Sequence, residues 1–263
     1  MKITFGIITL NEAQNLPRCL ASVQSVADEI LIVDSGSVDG TREIAESFGA
    51  VWHEISWPGY VRQKNNVLAL SSHEWVFSLD ADEALSPELL REIEQLKSTM
   101  PPQDTAGFSM PRCVFYEDRW IRHGDWYPDR LTRLFRKSQA LFTGGRVHER
   151  LELRGTVLKL KGEIEHHSFQ GTEDHRQRCR KYARLWAEDK AEQGRRASWL
   201  APFLHAGFRW FRGFIVKRGF LDGRRGWTIA CMSTYEVFLK YSLLREFQST
   251  HKLPPSPSPR DGL

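Results

Sequence analysis

The chain has 263 residues, 41% of them hydrophobic and 27% charged, with a formal net charge of +4. That is enough apolar material for one large globular domain, or one domain with an appendage. No stretch reaches the roughly 18 uncharged apolar residues of a membrane-spanning helix, and Cys19, Cys113, Cys179 and Cys231 show no CxxC pair or metal-finger spacing, which argues against a membrane-spanning helix and a zinc finger and makes a reduced, cytoplasmic protein the simplest reading.

The opening MKITFGIITL carries one Lys and a short apolar run. No small-residue cleavage site follows it, so it reads as a first strand rather than a secretory signal. Leu16, Leu20 and Val23 then recur at helical spacing. EILIVDS is a second strand that stops at an acid, and TREIAESFGA a helix with Gly49 at its C-cap. A short strand at Val51–Ile55 and a helix after Tyr60 lead to the strand EWVFSL. Ser86 is placed to cap a helix with Pro87 at its first position and Leu89, Ile93 and Leu96 on its buried face.

Strands and helices thus alternate over about the first 100 residues, and the strands are continuously apolar. Helices on both faces of a mostly parallel sheet produce that pattern. Ligands of such sheets bind beyond the carboxyl ends of the strands, where Asn11 and Glu12, Asp34, and Asp80 with Asp82 all fall. From about 104 to 168, shorter mixed segments predict antiparallel strands and loops that wall the site. Residues 172 to 248 are helical in pattern, with Tyr182, Leu185 and Trp186 as an early apolar face, and HKLPPSPSPRDGL reads as a disordered tail.

Asp80 and Asp82, two positions apart in WVFSLDADEALSP, point the same way from an extended segment. Such a pair can hold one hard divalent cation, Mg2+ or Mn2+, and leave room for phosphate oxygens. The alternative is a solvated acidic turn whose Glu83 and Glu88 favour a helix N-terminus. In IVDSGSVDGT, Ser37, Asp39 and Thr41 read as turn and cap residues, whereas Asp34 ends its strand on the rim.

IITLNEAQNLPRCLASV, EILIVDSGSVDGT, RQKNNVLALSSHEWVFSLDADE and GGRVHE, in this order, resemble the nucleotide-sugar glycosyltransferases of family 2, which have a Rossmann-like GT-A fold. VDSGSVDGT, LDADEALSPEL, VHE and the C-terminal FLDGRRGWTIA narrow the resemblance to the lipopolysaccharide inner-core glucosyltransferase group. It implies a GT-A domain over 1–168, a helical extension over 169–250 and a tail from 251 to 263. It also implies a UDP-sugar donor, with Thr9, Asn11, Glu12 and Asp34 lining the uridine pocket. Asp80 would lie near the ribose and the metal, Asp82 would ligate that metal, and Arg62 and Lys64 would either sit near phosphate or serve as surface residues. Many members carry two adjacent acids where this chain has Asp34 and Ser35. The acceptor hydroxyl needs a base, which the resemblance places at Glu149, with Asp129 as the second candidate. His148 is either a metal or phosphate contact or a structural histidine. GTEDH (171–175) imitates a base motif of processive synthases, but Glu173 and Asp174 read as charges opening a helix, and His166 and His167 as structural.

Residues 176–225 hold 14 Lys and Arg against 4 Asp and Glu, interleaved with Trp and Phe. That composition fits attachment to the inner face of the inner membrane beside a lipid-anchored lipopolysaccharide core acceptor; packing of the aromatics on the main domain is the alternative. No nucleic-acid module is visible. Transfer of sugar to polyprenyl phosphate, and a non-catalytic membrane-associated binding protein, are the competing functions.

Overall fold

The computed structural model describes residues 1–144, 149–169 and 171–250; His148 and the tail from 251 to 263 lie outside the described residues. The first elements are β1 (Ile3–Thr9), α1 (Leu16–Val23), β2 (Glu29–Asp34), α2 (Thr41–Ser47), β3 (Val51–Glu54), α3 (Tyr60–Leu70) and β4 (Trp75–Asp80). They continue into β5 (Glu83–Leu85) and α4 (Pro87–Ser98). Then come β6 (Thr105–Tyr116), β7 (Arg119–Ile121), β8 (Asp129–Arg136), β9 (Ala140–Gly144), β10 (Glu149–Leu153), β11 (Thr156–Lys159) and β12 (Ile164–His166). The chain closes with α5 (Thr172–Glu192), α6 (Ala201–Trp210) and α7 (Gly223–Thr250).

Local chemistry explains the early elements. α1 buries Leu16, Cys19, Leu20 and Val23, one stripe at three- and four-residue spacing. The Ser86 hydroxyl accepts the Leu89 amide at 3.2 Å and so caps α4, with Pro87 in its first turn. In β1, Ile3, Phe5 and Ile7 are fully buried, and Phe5 stacks on Phe77 of β4 at 5.0 Å.

Two compact units divide the chain: Met1–Phe115 with Tyr127–Ser168, and Tyr116–Trp126 with Phe169 onward. In the first, the strand order is β3-β2-β1-β4-β8-β6-β12-β5. β1, β2, β3 and β4 pair in parallel, and β8 enters antiparallel to both β4 and β6. This is a mixed, mostly parallel sheet with flanking helices, the GT-A arrangement. Register sets the site. Thr9 is level with Asp34, and Ile8 with Asp80, so three strands end together on one rim.

Gly6 admits the helix that faces this rim. A Cβ at Gly6 would lie 2.1 Å from Val67 Cγ1, so only glycine lets α3 settle this closely on β1. α3 thereby carries Lys64 inward, where it is 6% exposed.

The second unit is helical. Along α5 the buried residues are His175, Cys179, Ala183, Ala187 and Ala191, every fourth position. Tyr182 and Leu185, expected to face inward, are 46% and 38% exposed. Small side chains on the buried stripe let α7 approach closely, and the bulky residues are left outside. Asp222 is 4% exposed and accepts the amides of Arg122 (3.2 Å) and His123 (2.8 Å) and the His123 ring nitrogen Nδ1 (3.0 Å). At Gly226 a Cβ would meet the Gly219 carbonyl oxygen at 1.9 Å. FLDGRRGW is therefore a packing motif.

Candidate active site

The loops that follow β1 and β2 are laced to each other. Asp34 is fully buried, and its Oδ1 accepts the Gly36 and Ser37 amides, each at 2.7 Å. Its Oδ2 accepts the hydroxyls of Thr9 (2.7 Å) and Ser37 (2.5 Å). Burial pushes this carboxyl up, but those bonds outweigh it and hold it below the usual range. Four acceptances saturate a carboxylate, so Asp34 shapes the loop. Asn11, in left-handed backbone at φ 55°, donates its amide to Ser37 Oγ (2.7 Å) and accepts the Val38 amide on Oδ1 (2.9 Å). The Glu12 amide donates to Thr41 Oγ1 at 2.9 Å. Burial raises the Glu12 carboxyl; Asn15 opposes this, and the charges of Asp82, Asp39 and Asp80 add to it. Glu12 and Asp82 thus feel each other across the rim.

Next to this lies a chain of alternating charges. Arg133 Nη2 donates to Asp80 Oδ2 at 2.7 Å and to Glu83 Oε1 at 2.8 Å. Arg112 joins Glu83 (3.3 Å) to Asp129 Oδ2, which it meets through Nε (3.1 Å) and Nη2 (2.7 Å). On the other side, Lys64 Nζ lies 3.4 Å from Asp80 Oδ1 and 3.1 Å from Glu149 Oε1. Burial raises the Asp80 carboxyl, yet Arg133 and Lys64 overcome that and hold it well below the usual carboxylate range.

Glu149 reaches this cluster through α3. Asn65 donates to the Phe142 carbonyl at 2.9 Å and accepts the Phe142 amide at 3.0 Å, fastening β9 to the helix. β10 pairs with β9, Glu149 opposite Gly144. The expected residues Lys64, Asp80, Glu149 and Asp129 therefore join one ionic chain. Thr9, Asn11, Glu12 and Asp34 line the adjoining rim. His148 lies outside the described residues. Glu173 and Asp174 occupy the first turn of α5.

Asp82 stands apart from the ionic chain, with His166 Nε2 at 3.1 Å from its Oδ2. Among the described residues no three His, Cys, Asp or Glu side chains form a ready metal cage. The donor set still suits a divalent cation. Asp80 and Asp82 supply hard oxygens, their side chains 29% and 26% exposed, with Glu12 adding negative potential. Mg2+ characteristically takes one or two carboxylates plus substrate phosphates.

Sequence reasoning missed Arg112, Arg133 and the contact of His166 with Asp82, and gave Glu83 no role beyond the turn that leads into the Ser86-capped helix. Glu83 is fully buried beneath both arginines and accepts the Asp80 amide at 3.0 Å. The available signal was the charge excess itself: acids gathered at a strand end require cations from elsewhere.

The sequence matches the family described as Glycosyl transferase family 2 over residues 4–150. An uncharacterized glycosyltransferase of Rickettsia bellii (strain RML369-C) is 29% identical over 255 residues, 93% of this chain and 86% of that one. The lipopolysaccharide core biosynthesis glycosyltransferase LpsC of Rhizobium meliloti (strain 1021) is 28% identical over 251 residues, 90% of this chain and 92% of LpsC. A solved structure of S. aureus TarS 1-349 in complex with UDP-GlcNAc is 14% identical, covering 95% of this chain and 91% of that chain with a TM-score of 0.47, too loose a likeness to bear on donor or metal.

Proposed function

The chain belongs to glycosyltransferase family 2, and we propose that it transfers a hexose, glucose from UDP-glucose, with inversion onto a lipid-anchored lipopolysaccharide core acceptor at the inner face of the inner membrane. The observation that carries this reading is the position of Lys64, shared between Asp80 and Glu149. One buried cation ties the acid expected beside the donor to the acid expected to act as base. Similarity to LpsC over most of both chains supports the acceptor class.

In this reading the loops after β1 and β2, organised by Asp34, receive the uridine through Thr9, Asn11 and Glu12. Asp82 and Asp80 would hold Mg2+ or Mn2+, whose positive charge would stabilise a departing diphosphate. Lys64 adds a second positive group on the diphosphate side. Glu149 takes the proton of the acceptor hydroxyl as its oxygen attacks the anomeric carbon. The bond from that carbon to the β-phosphate oxygen breaks, and the electron pair leaves with UDP. Asp129 is the weaker base, because Arg112 already holds one of its oxygens through two nitrogens.

Incubation with UDP-sugars and Mn2+, with core saccharide and polyprenyl phosphate as separate acceptors, tests this. UDP release that core saccharide stimulates supports the reading. UDP binding without turnover on either acceptor, or turnover on polyprenyl phosphate alone, contradicts it.

A further inference from the structure

The basic, aromatic region does not behave as one surface. α5 neutralises much of its own charge: Arg176 pairs with Glu173, Arg178 with Asp174, Arg184 with Glu188 and Lys190 with Asp189. Residues 193–235 are different. They contain eight Lys and Arg, and Asp222 is their single acid. That acid is buried against the His123 segment.

Within this acid-poor stretch α6 runs into a π-helical turn, Phe211–Val216. Pro202, Ala206 and Gly213 are buried on the inner side. Phe203, Leu204, Phe208, Phe211, Ile215 and Val216 stand 42% to 66% exposed. Their spacing of about one helical turn aligns them as a continuous apolar stripe. Soluble proteins rarely leave such a stripe uncovered unless something binds it.

The stripe is rigidly based. The Asp125 side chain, 5% exposed, draws in Arg209 (3.0 Å), Arg212 (2.8 Å) and Lys217 (3.2 Å). One carboxylate meets three cations, so positive charge remains, and the Arg212 and Lys217 side chains are still 40% and 46% exposed. Arg218 and Arg224 are exposed nearby. A second copy of this chain would bring the same uncompensated cations to the same face and be repelled. A surface of phospholipid phosphates over acyl chains matches both features. No helix among the described residues is long and apolar enough to cross a membrane, so contact of this kind lies along the interface.

We infer that α6 and the following π-helical turn dock this chain on an anionic phospholipid bilayer, with Phe203, Leu204, Phe208 and Phe211 entering the acyl boundary and Lys217, Arg218 and Arg224 against lipid phosphates. This deepens the peripheral attachment proposed above and rests on it for its biological sense. The test is separate, because vesicle binding requires neither sugar donor nor acceptor.

Co-sedimentation of the full chain with phosphatidylcholine vesicles, with and without phosphatidylglycerol, provides it. Binding is expected only to the vesicles containing phosphatidylglycerol, and weaker in added salt. Phe208→Ser with Phe211→Ser should lower that binding about tenfold or more. Arg218→Gln with Arg224→Gln should lower it by a similar factor of about ten. All four sites are exposed, so both variants should keep the wild-type circular dichroism spectrum and turnover on a delipidated acceptor. Failure to bind either vesicle, equal binding to both, or a wild-type dimer that Phe208→Ser dissociates would each overturn the proposal.

Discussion

Arg133, on β8, donates to the carboxylate of Asp80, at the end of β4, at 2.7 Å. The pair explains why acids can crowd this strand end. β8 runs antiparallel to β4 and delivers the guanidinium that Asp80 and the buried Glu83 both need. Asp80 is thus built into the fold, while Asp82 projects beside it with His166 as its side-chain partner among the described residues. The two aspartates therefore differ in role.

Asp80→Ala should destabilise the protein and Asp82→Ala should not. Removing Asp80 strips Arg133 and Lys64 of a shared counter-charge, at a cost of about 2–3 kcal/mol. Asp82→Ala should cost about 1 kcal/mol or less. Urea-unfolding midpoints of both variants check this.

Glu149→Gln should lower kcat on the proposed acceptor by about 10²- to 10⁴-fold, the usual worth of a positioned base. Donor KM should change little. Asp129→Asn should cost far less, because it mainly releases Arg112. Equal losses in the two variants would count against Glu149. Steady-state kinetics with varied UDP-glucose separate kcat from KM.

Acid should weaken the second unit before the ionic chain fails. Burial pushes the His175 imidazole down to about 4, where it meets the Tyr116 hydroxyl at 3.1 Å through Nδ1. The unfolded histidine takes up its proton near pH 6.5. Stability is therefore complete above about pH 6.5 and is lost as pH falls toward 4, by about 3 kcal/mol. Asp80, held low when folded, keeps its contribution until pH falls below the ordinary carboxylate range. Unfolding midpoints at pH 7 and pH 5 should differ in the wild type and differ less in His175→Gln.

Gly226→Ala should be among the costly single-methyl additions. The new Cβ would press on the Gly219 carbonyl oxygen at 1.9 Å, and overpacking against backbone costs about 1–3 kcal/mol or more. Gly40→Ala, with nothing within 4 Å of the added Cβ, is the control. Thermal unfolding of the two variants gives the comparison.

The strand-helix rhythm up to β4 was legible because each element there solves its burial locally. Leu16, Leu20 and Val23 declare a helix face, and Ser86-Pro87 declares a helix start. The rim was legible too, since polar and acidic residues follow three apolar strands that parallel pairing brings level. Arg133 was not. Its neighbours Arg130 and Arg136 lie on the same strand and donate to backbone carbonyls of Ser109, Leu160 and Thr105. Sequence spacing does not distinguish a guanidinium that braces backbone from one that crosses to a carboxylate on another strand. On α5, hydrophobicity pointed to Tyr182 and Leu185, but close packing of two helices selected the alanines. The acid-poor stretch from 193 to 235 was visible in composition, whereas its single apolar face emerged only from exposure.

Metal-dependent hexose transfer with Asp82 as a metal ligand is best decided by transfer of labelled glucose from UDP-glucose to lipopolysaccharide core acceptor. Wild type and Asp82→Ala would each be assayed with Mn2+ and after chelation. Transfer by the wild type with Mn2+, its loss on chelation, and its absence in a stably folded Asp82→Ala are predicted. Acceptor-dependent transfer that survives both chelation and Asp82→Ala would rule out a metal-dependent reaction through Asp82.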